Sequence, residues 1–175
     1  MYPAPVTVIS PSPHGGPVLA AMLRVGIPAA PLPLAAARRS PAGWLDSDLV
    51  VCVWEPGAEP AVEGELFGQA TGALHVAWDV DLAIVGPHVV AGLGPCPQCL
   101  AATAPVLGDP AGALPGAWAA ASAALQVAGI LAVGASDLVG ASWLWRLRRP
   151  GLAVVEHRAR RDCPVPGCVS HGGCG

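Results

Sequence analysis

The sequence predicts an α/β fold: a degenerate Rossmann-like, mostly parallel sheet with helices packed on it. Three observations carry that expectation. The β-branched run Pro5-Val6-Thr7-Val8-Ile9 leads through a Gly/Pro turn into a helical stretch, the order of a nucleotide-binding βα unit. Asp48-Leu49-Val50-Val51-Cys52-Val53-Trp54 is apolar almost without interruption, as a central parallel strand buried on both faces must be. After a helical stretch at residues 60–70, Leu74-His75-Val76-Ala77-Trp78 supplies a further strand, so strands and helices alternate along the chain.

Composition sets the outer limits. Of the 175 residues 53% are hydrophobic and 12% charged, which suits one modest globular domain and excludes a disordered acidic tail. All nine basic residues are Arg, and a net charge of -3 argues against a basic face for nucleic acid. The absence of Lys removes lysine chemistry. With 22 Gly and 20 Pro the fold should be rich in loops. A single domain over residues 1–175 is expected, divided into a degenerate nucleotide-binding half, 1–47, and a second half, 48–175.

The turn after the first strand keeps the topology of a βα unit and loses its chemistry. Pro11, Pro13 and Pro17 have no N–H to offer a phosphate, and only Gly15 and Gly16 remain of a G-x-G-x-x-G pattern. His14 is the one histidine placed where a substrate would sit. The following helix should run from Pro17 to Val25, with Gly26 just beyond its end. A proline-rich stretch, residues 28–33, and a polar turn at 38–40 then lead to the central strand, where Cys52 reads as a small core hydrophobe.

Asp79-Val80-Asp81 connects the next strand to Leu82-Ala83-Ile84-Val85, a run that Gly86-Pro87 should break. Residues 113–135 are uncharged and long enough to cross a bilayer, yet dominated by Ala and poor in large apolar side chains. A buried, closely packed helix is expected there. Ser142–Arg149 and Leu152–Arg158 read as a hairpin about a Pro150-Gly151 turn. Trp143 and Trp145 share one face by the two-residue period, with Arg146, Arg148 and Arg149 on the other face or at the strand end. Same-face aromatics usually pack inward; left exposed, the pair would anchor an interface.

Met1-Tyr2-Pro3-Ala4-Pro5 has neither the basic nor the apolar region of a secretory signal, so a cytoplasmic, reducing setting is expected. There, neighbouring cysteines read as metal ligands before disulfides. Cys96 and Cys99 form a C-x-x-C in a Pro/Gly turn, the spacing at which two thiolates reach one tetrahedral Zn²⁺ at roughly 2.3 Å each. The tail from Arg161 onward has no periodicity and cannot order by burial, whereas a metal supplies folding energy. The expected site is a structural zinc on Cys96, Cys99, Cys163 and Cys168, with Cys174 as a third candidate in the tail. His171 and His157 are alternative ligands that four thiols make unnecessary. A redox C-x-x-C would follow the first strand and open a helix; this one stands past mid-chain between prolines.

In this order the features resemble the ThiF-like proteins of the ubiquitin-activating-enzyme superfamily. The nearer resemblance is to the partner proteins of thiazole/oxazole-modified, bacteriocin-type peptide biosynthesis. The likeness rests on Asp48–Val53 and on Val85-Gly86-Pro87-His88-Val89-Val90-Ala91-Gly92-Leu93-Gly94-Pro95-Cys96-Pro97-Gln98-Cys99-Leu100. The latter is similar to the family signature V-G-P-x-V-x-P-G-x-x-P-C-x-x-C-L. An Ala-rich helix, a hairpin and a Cys-rich tail follow in the family's order, so the resemblance covers residues 48–175. It implies zinc held by two cysteine pairs, with Cys96 and Cys99 carried over directly.

The departures bear on activity. Family members that adenylate a carboxylate need a glycine-rich loop, a ribose-binding acid, and Arg and Lys for the phosphates. This chain has no Lys and no glycine fingerprint, and nothing in it resembles the leader-binding winged-helix module of longer relatives. The resemblance therefore implies a non-catalytic, zinc-containing scaffold that docks on a YcaO-type cyclodehydratase or another tailoring enzyme. Such a scaffold would help deliver a precursor peptide, with a second copy of itself as a further partner and neither nucleic acid nor membrane. The alternative is an ATP-dependent, acyl-adenylating activating enzyme.

Overall fold

The computed structural model describes residues 5–11, 14–105, 107–108 and 112–169. Seven strands form one sheet in the order β2-β1-β3-β4-β5-β6-β7. The first four, β1 (Val6–Ser10), β2 (Ala29–Pro33), β3 (Leu49–Cys52) and β4 (Ala73–Trp78), are parallel neighbours. The other three, β5 (Leu82–Val89), β6 (Ala141–Arg146) and β7 (Arg149–Glu156), are added antiparallel.

Three of the six pairings are thus antiparallel, and the sheet is not the mostly parallel one expected from the sequence. The reason lies at residues 79–82. The N–H groups of Asp81 and Leu82 both donate to Asp79 Oδ1 at 2.8 Å, closing a tight turn that sends β5 back along β4. A parallel continuation would have needed a crossover of a dozen residues or so, which the chain does not provide there.

Both faces of the sheet are covered. Helices α1 (Gly16–Arg24) and α5 (Ala113–Val133) pack on one face, with Ala119, Ala120, Ala123, Ala124 and Val127 of α5 in the same cluster as Val8, Leu74, Val76 and Val85. The small residues let this helix approach closely: a Cβ on Gly116 would stand 2.9 Å from Trp78 Nε1. The helix ends at Gly134, whose φ of 68° is the left-handed conformation glycine adopts without cost. It is long and apolar enough to cross a membrane by length and composition; its alanine face packs on the sheet. Helices α2 (Leu34–Ala37), α3 (Pro60–Gly68) and α4 (Pro97–Ala101) lie over a second cluster, which holds Ile9, Val50, Cys52 and the cysteines of the C-x-x-C.

Three local expectations change and a fourth holds. The proline-rich stretch forms β2, an edge strand paired with β1 alone, where a residue without N–H is tolerated. Gly86-Pro87 does not end β5. Pairing with β6 stops at Val85, and Pro87 follows where the strand has no β6 partner to satisfy. The hairpin turn falls at Leu147–Arg148, so that Pro150 and Gly151 lie inside the outer strand β7, again an edge. Finally, Trp143 and Trp145 pack half-buried against the α5 side, and Trp145 stacks on Trp118 at 6.0 Å and 14°. The rings cover the core and do not form an open aromatic face.

Candidate metal centre

Cys96 stands at the N-cap of α4 with Pro97 at the first helical position, and Cys99 follows within the helix. The hydrogen bond from the Cys99 N–H to the Cys96 carbonyl, 3.0 Å, folds the two thiols to the same side. The tail segment is laid against this turn by two backbone bonds, Gly92 N–H to Gly167 carbonyl at 2.8 Å and Val169 N–H to Gly94 carbonyl at 3.0 Å. Gly92 and Gly167 have φ of 84° and 78°, a conformation that makes these two glycines hard to replace.

The result is a sulfur cluster. The Sγ atoms of Cys96, Cys99, Cys163 and Cys168 all lie within 4.8 Å of one another. Cys96 to Cys163 measures 3.5 Å and Cys99 to Cys168 measures 3.9 Å. Four sulfurs at about 2.3 Å from one tetrahedral zinc would be about 3.8 Å apart, so the arrangement matches the geometry of that ion. Backbone donors already face the sulfurs: Cys96 N–H reaches Cys168 Sγ and Arg160 N–H reaches Cys99 Sγ, each at 3.3 Å. Such N–H groups stabilise thiolate and orient it for a metal.

The thiols are unequal without a cation. A backbone hydrogen bond from Val165, the largest influence, draws the Cys163 thiol down to about 7, whereas burial pushes Cys168 up to about 12. Four thiolates so close repel one another strongly, and a divalent ion offsets that repulsion while closing all four positions. The donor set therefore fits a structural zinc and leaves no open coordination site. Against the cluster lies a cleft of about 770 Å³, walled by Phe67 and Gly64 on one side and by Pro97, Val165 and Pro166 on the other.

The sheet has a second notable place, outside the carboxyl ends of β1 and β3, where the strand order reverses and open α/β sheets bind their ligands. Here the space is small, about 110 Å³, lined by Pro11, His14, Trp54, Glu55 and Trp78 among others. A ligand pocket usually offers roughly 300 Å³ or more. Helix α1 has no side-chain cap, and a Cβ at Gly15 would stand 2.3 Å from Ser10 Oγ, so Gly15 lies close against the end of β1.

His14 thus lies at the crevice, as its position in the sequence suggested. His157 is not with the thiols. Its Nε2 is 2.8 Å from Ser142 Oγ and its Nδ1 3.3 Å from Thr103 Oγ1, so both ring nitrogens are engaged. Cys52 is fully buried in β3, and burial pushes its thiol well above the ordinary range. Cys174 and His171 lie outside the described residues.

Sequence reasoning overlooked Glu63. Its side chain is buried and accepts from Trp54 Nε1 at 2.9 Å, Gly57 N–H at 2.8 Å and Glu59 N–H at 3.0 Å, fixing the loop from β3 to α3. One acid among Glu55, Glu59, Glu63 and Glu65 carries no periodic signal; the nearby Trp54 was the available clue. His75 is buried beside it, held neutral by desolvation against the pull of Glu63.

No protein-family profile matches the chain, and no curated protein matches it in sequence. Solved structures do match in fold. The heterocyclase TruD superposes with a TM-score of 0.68 over 95% of this chain and 28% of its own, at 18% identity. A heterocyclase in complex with substrate and cofactor gives 0.70 over 93% of this chain and 25% of its own, at 16% identity. E. coli MccB, a microcin C7 biosynthetic enzyme solved with AMPCPP and MccA, gives 0.68 over 94% and 66%, at 12% identity. The chain spans about a quarter of the heterocyclase chains. It shares their fold.

Proposed function

We propose that this protein is a non-catalytic, zinc-containing ThiF-like scaffold in the biosynthesis of a ribosomally made, post-translationally modified peptide. It docks on a YcaO-type cyclodehydratase or related tailoring enzyme and helps present the precursor peptide. The observation that carries this reading is the crevice at the switch point. At about 110 Å³, with Trp54 and Trp78 in its walls, it has too little room for a nucleotide. The prolines of the adjoining loop and the absence of Lys remove the donors that phosphates require. The kept part is the sulfur cluster, in which zinc on Cys96, Cys99, Cys163 and Cys168 pins the tail without taking part in chemistry. Folds shared with a substrate-bound heterocyclase and with MccB support a setting in peptide modification.

A second reading is an acyl-adenylating enzyme, favoured by one observation: MccB, of the same fold, is solved with the ATP analogue AMPCPP. Calorimetry with Mg·ATP separates the two. The scaffold gives no saturable heat, while micromolar binding would establish the second reading. Retention of the purified chain by an immobilised YcaO-type cyclodehydratase is the positive test of docking.

A further inference from the structure

We infer that a cleft at the C-terminal end of α5 binds an apolar primary amine, its ammonium group held beside Asp48 and His88 and its hydrocarbon body against Leu49, Leu93 and Ile130. The cleft measures about 450 Å³, within the usual range for small-ligand sites. It lies at the opposite edge of the parallel strands from the switch-point crevice, among the starts of β3 and β4, the end of β5 and the last turn of α5. It shares no lining residue with the cleft against the sulfur cluster, so this inference is independent of the metal and of the scaffold reading.

Charge selects the ligand. Asp48 is the only charged side chain among the described residues that line the cleft, and it makes no ion pair with any of them. Residues 130–134 bring the C-terminal end of a 21-residue helix to the same space, and such an end carries roughly half a negative charge. His88 does not offset this. Burial holds its imidazolium down at about 4, so the ring is neutral at pH 7. Apart from Ser136, whose hydroxyl is already bonded to Gln126 and to the Leu138 N–H, the other side chains in the walls are apolar, so the site favours a cation attached to hydrocarbon.

His88 is the second observation. It is 6% exposed, and its Nδ1 is buried with no hydrogen-bond partner among the described residues. That nitrogen is closed to the cleft; the ring nitrogen on the cleft side is Nε2, beside Gly72 in the cleft wall. A neutral imidazole has one unprotonated nitrogen able to accept from an ammonium N–H. The surroundings keep room for the ring: a Cβ at Gly72 would stand 3.0 Å from His88 Nε2.

The test is an NMR titration of the full chain with phenethylamine, 2-phenylethanol and 3-phenylpropionate, following the His88 ring ¹⁵N resonances. Phenethylamine should move those resonances saturably and bind about fivefold tighter than the alcohol, with the carboxylate weakest. Asp48→Asn, an exposed and nearly isosteric change, should bring amine and alcohol to parity. Parity in the wild type, a preference that survives Asp48→Asn, or no saturable shift at His88 would overturn the inference. A Phe-Gly-Gly amide tripeptide identifies the source of the amine. Tighter binding than phenethylamine, lost on N-acetylation, assigns the site to a peptide N-terminus; weaker binding assigns it to a free small amine.

Discussion

The two faces of the sheet are covered by different means. On one, α1 and α5 contribute nine and 21 residues and share one hydrophobic cluster with the strands. On the other, α2, α3 and α4 contribute four, nine and five residues, too little to close the surface. The gap is filled by the coil from His157 to Val169, whose partly buried members include Ala159, Cys163, Val165 and Cys168. A coil of this composition buries too little to offset the entropy of ordering it, about 1–2 kcal/mol per residue for the backbone alone. The contrast teaches that the fold uses hydrophobic burial where the helices are long and gathers four sulfurs, in an arrangement fit for a metal, where they are short.

Removing the metal is the most direct way to break that contrast. The proposal requires one zinc per chain by elemental analysis. Cys99→Ser should lose it and lower stability by about 5 kcal/mol, because both the site and the strap from Gly92 to Val169 go with it. The cleft of about 770 Å³ should open in the same variant, since Val165 and Pro166 form one of its walls. A Cys99→Ser protein with full metal content and an unchanged Tm would sink the assignment. Metal retained in Cys168→Ser and lost in Cys174→Ser would move the fourth ligand to Cys174.

Glu63 makes the next largest contribution on that face. Glu63→Ala leaves the Trp54 indole N–H and two backbone N–H groups without an acceptor. The expected loss is about 4 kcal/mol at one to three kcal/mol per buried orphan, with zinc content unchanged. Denaturant unfolding of the zinc-loaded variant measures it; a loss below about 1 kcal/mol would mean that water replaces the carboxylate.

What was legible in the sequence follows the same division. Val50, Val51 and Cys52 announce β3 because a strand buried on both faces must be apolar throughout. The C-x-x-C announces itself because ligand spacing is local chemistry. Strand direction was not legible, because the reversal after β4 depends on one Asp79 carboxylate capturing two N–H groups. Edge strands were misread for a related reason: Pro31 and Pro150 forbid a central strand, and whether a strand lies at an edge is a property of the whole sheet. Glu63 gave no signal because the loop from Trp54 to Glu59 that it ties has no periodic pattern, and His88 gave none because the residues packed about it, Gly72 and Leu138 among them, are far away in sequence.

The α5 side carries its own pH liability. Burial lowers His88 from its ordinary value near 6.5 to about 4, so the fold favours the neutral ring. The stabilisation is complete above about pH 6.5 and is lost as pH falls from there to about 4, roughly 3 kcal/mol in all. Desolvation lowers His75 and His157 as well, and protonation of the thiols would release zinc, so the wild type as a whole falls more steeply. The comparison that isolates His88 is wild type against His88→Gln at equal zinc content, where the variant should show the shallower acid slope. Equal slopes would show that the ring is solvated in the folded protein.

The smallest effect tests whether the aromatic surface belongs to the core or to a partner. Trp145 stacks on Trp118 of α5 at 6.0 Å, and the ring pair closes the edge of the apolar cluster beside β5 and β6. Trp145→Ser removes the stack and part of the half-buried area, which is worth about 2 kcal/mol. Because the ring faces α5, the variant should melt earlier while keeping the wild-type mass by light scattering and the wild-type affinity for the tailoring enzyme. The opposite pattern, an unchanged Tm with a lost complex, would turn Trp145 into an interface anchor and require the Trp118 contact to open on docking. Exposed Leu152 and Val154 on β7, which pair with Trp145 and Trp143, give the control. Changing them to Thr should leave the unfolding free energy within about 0.5 kcal/mol of wild type, since strand residues so open contribute little burial.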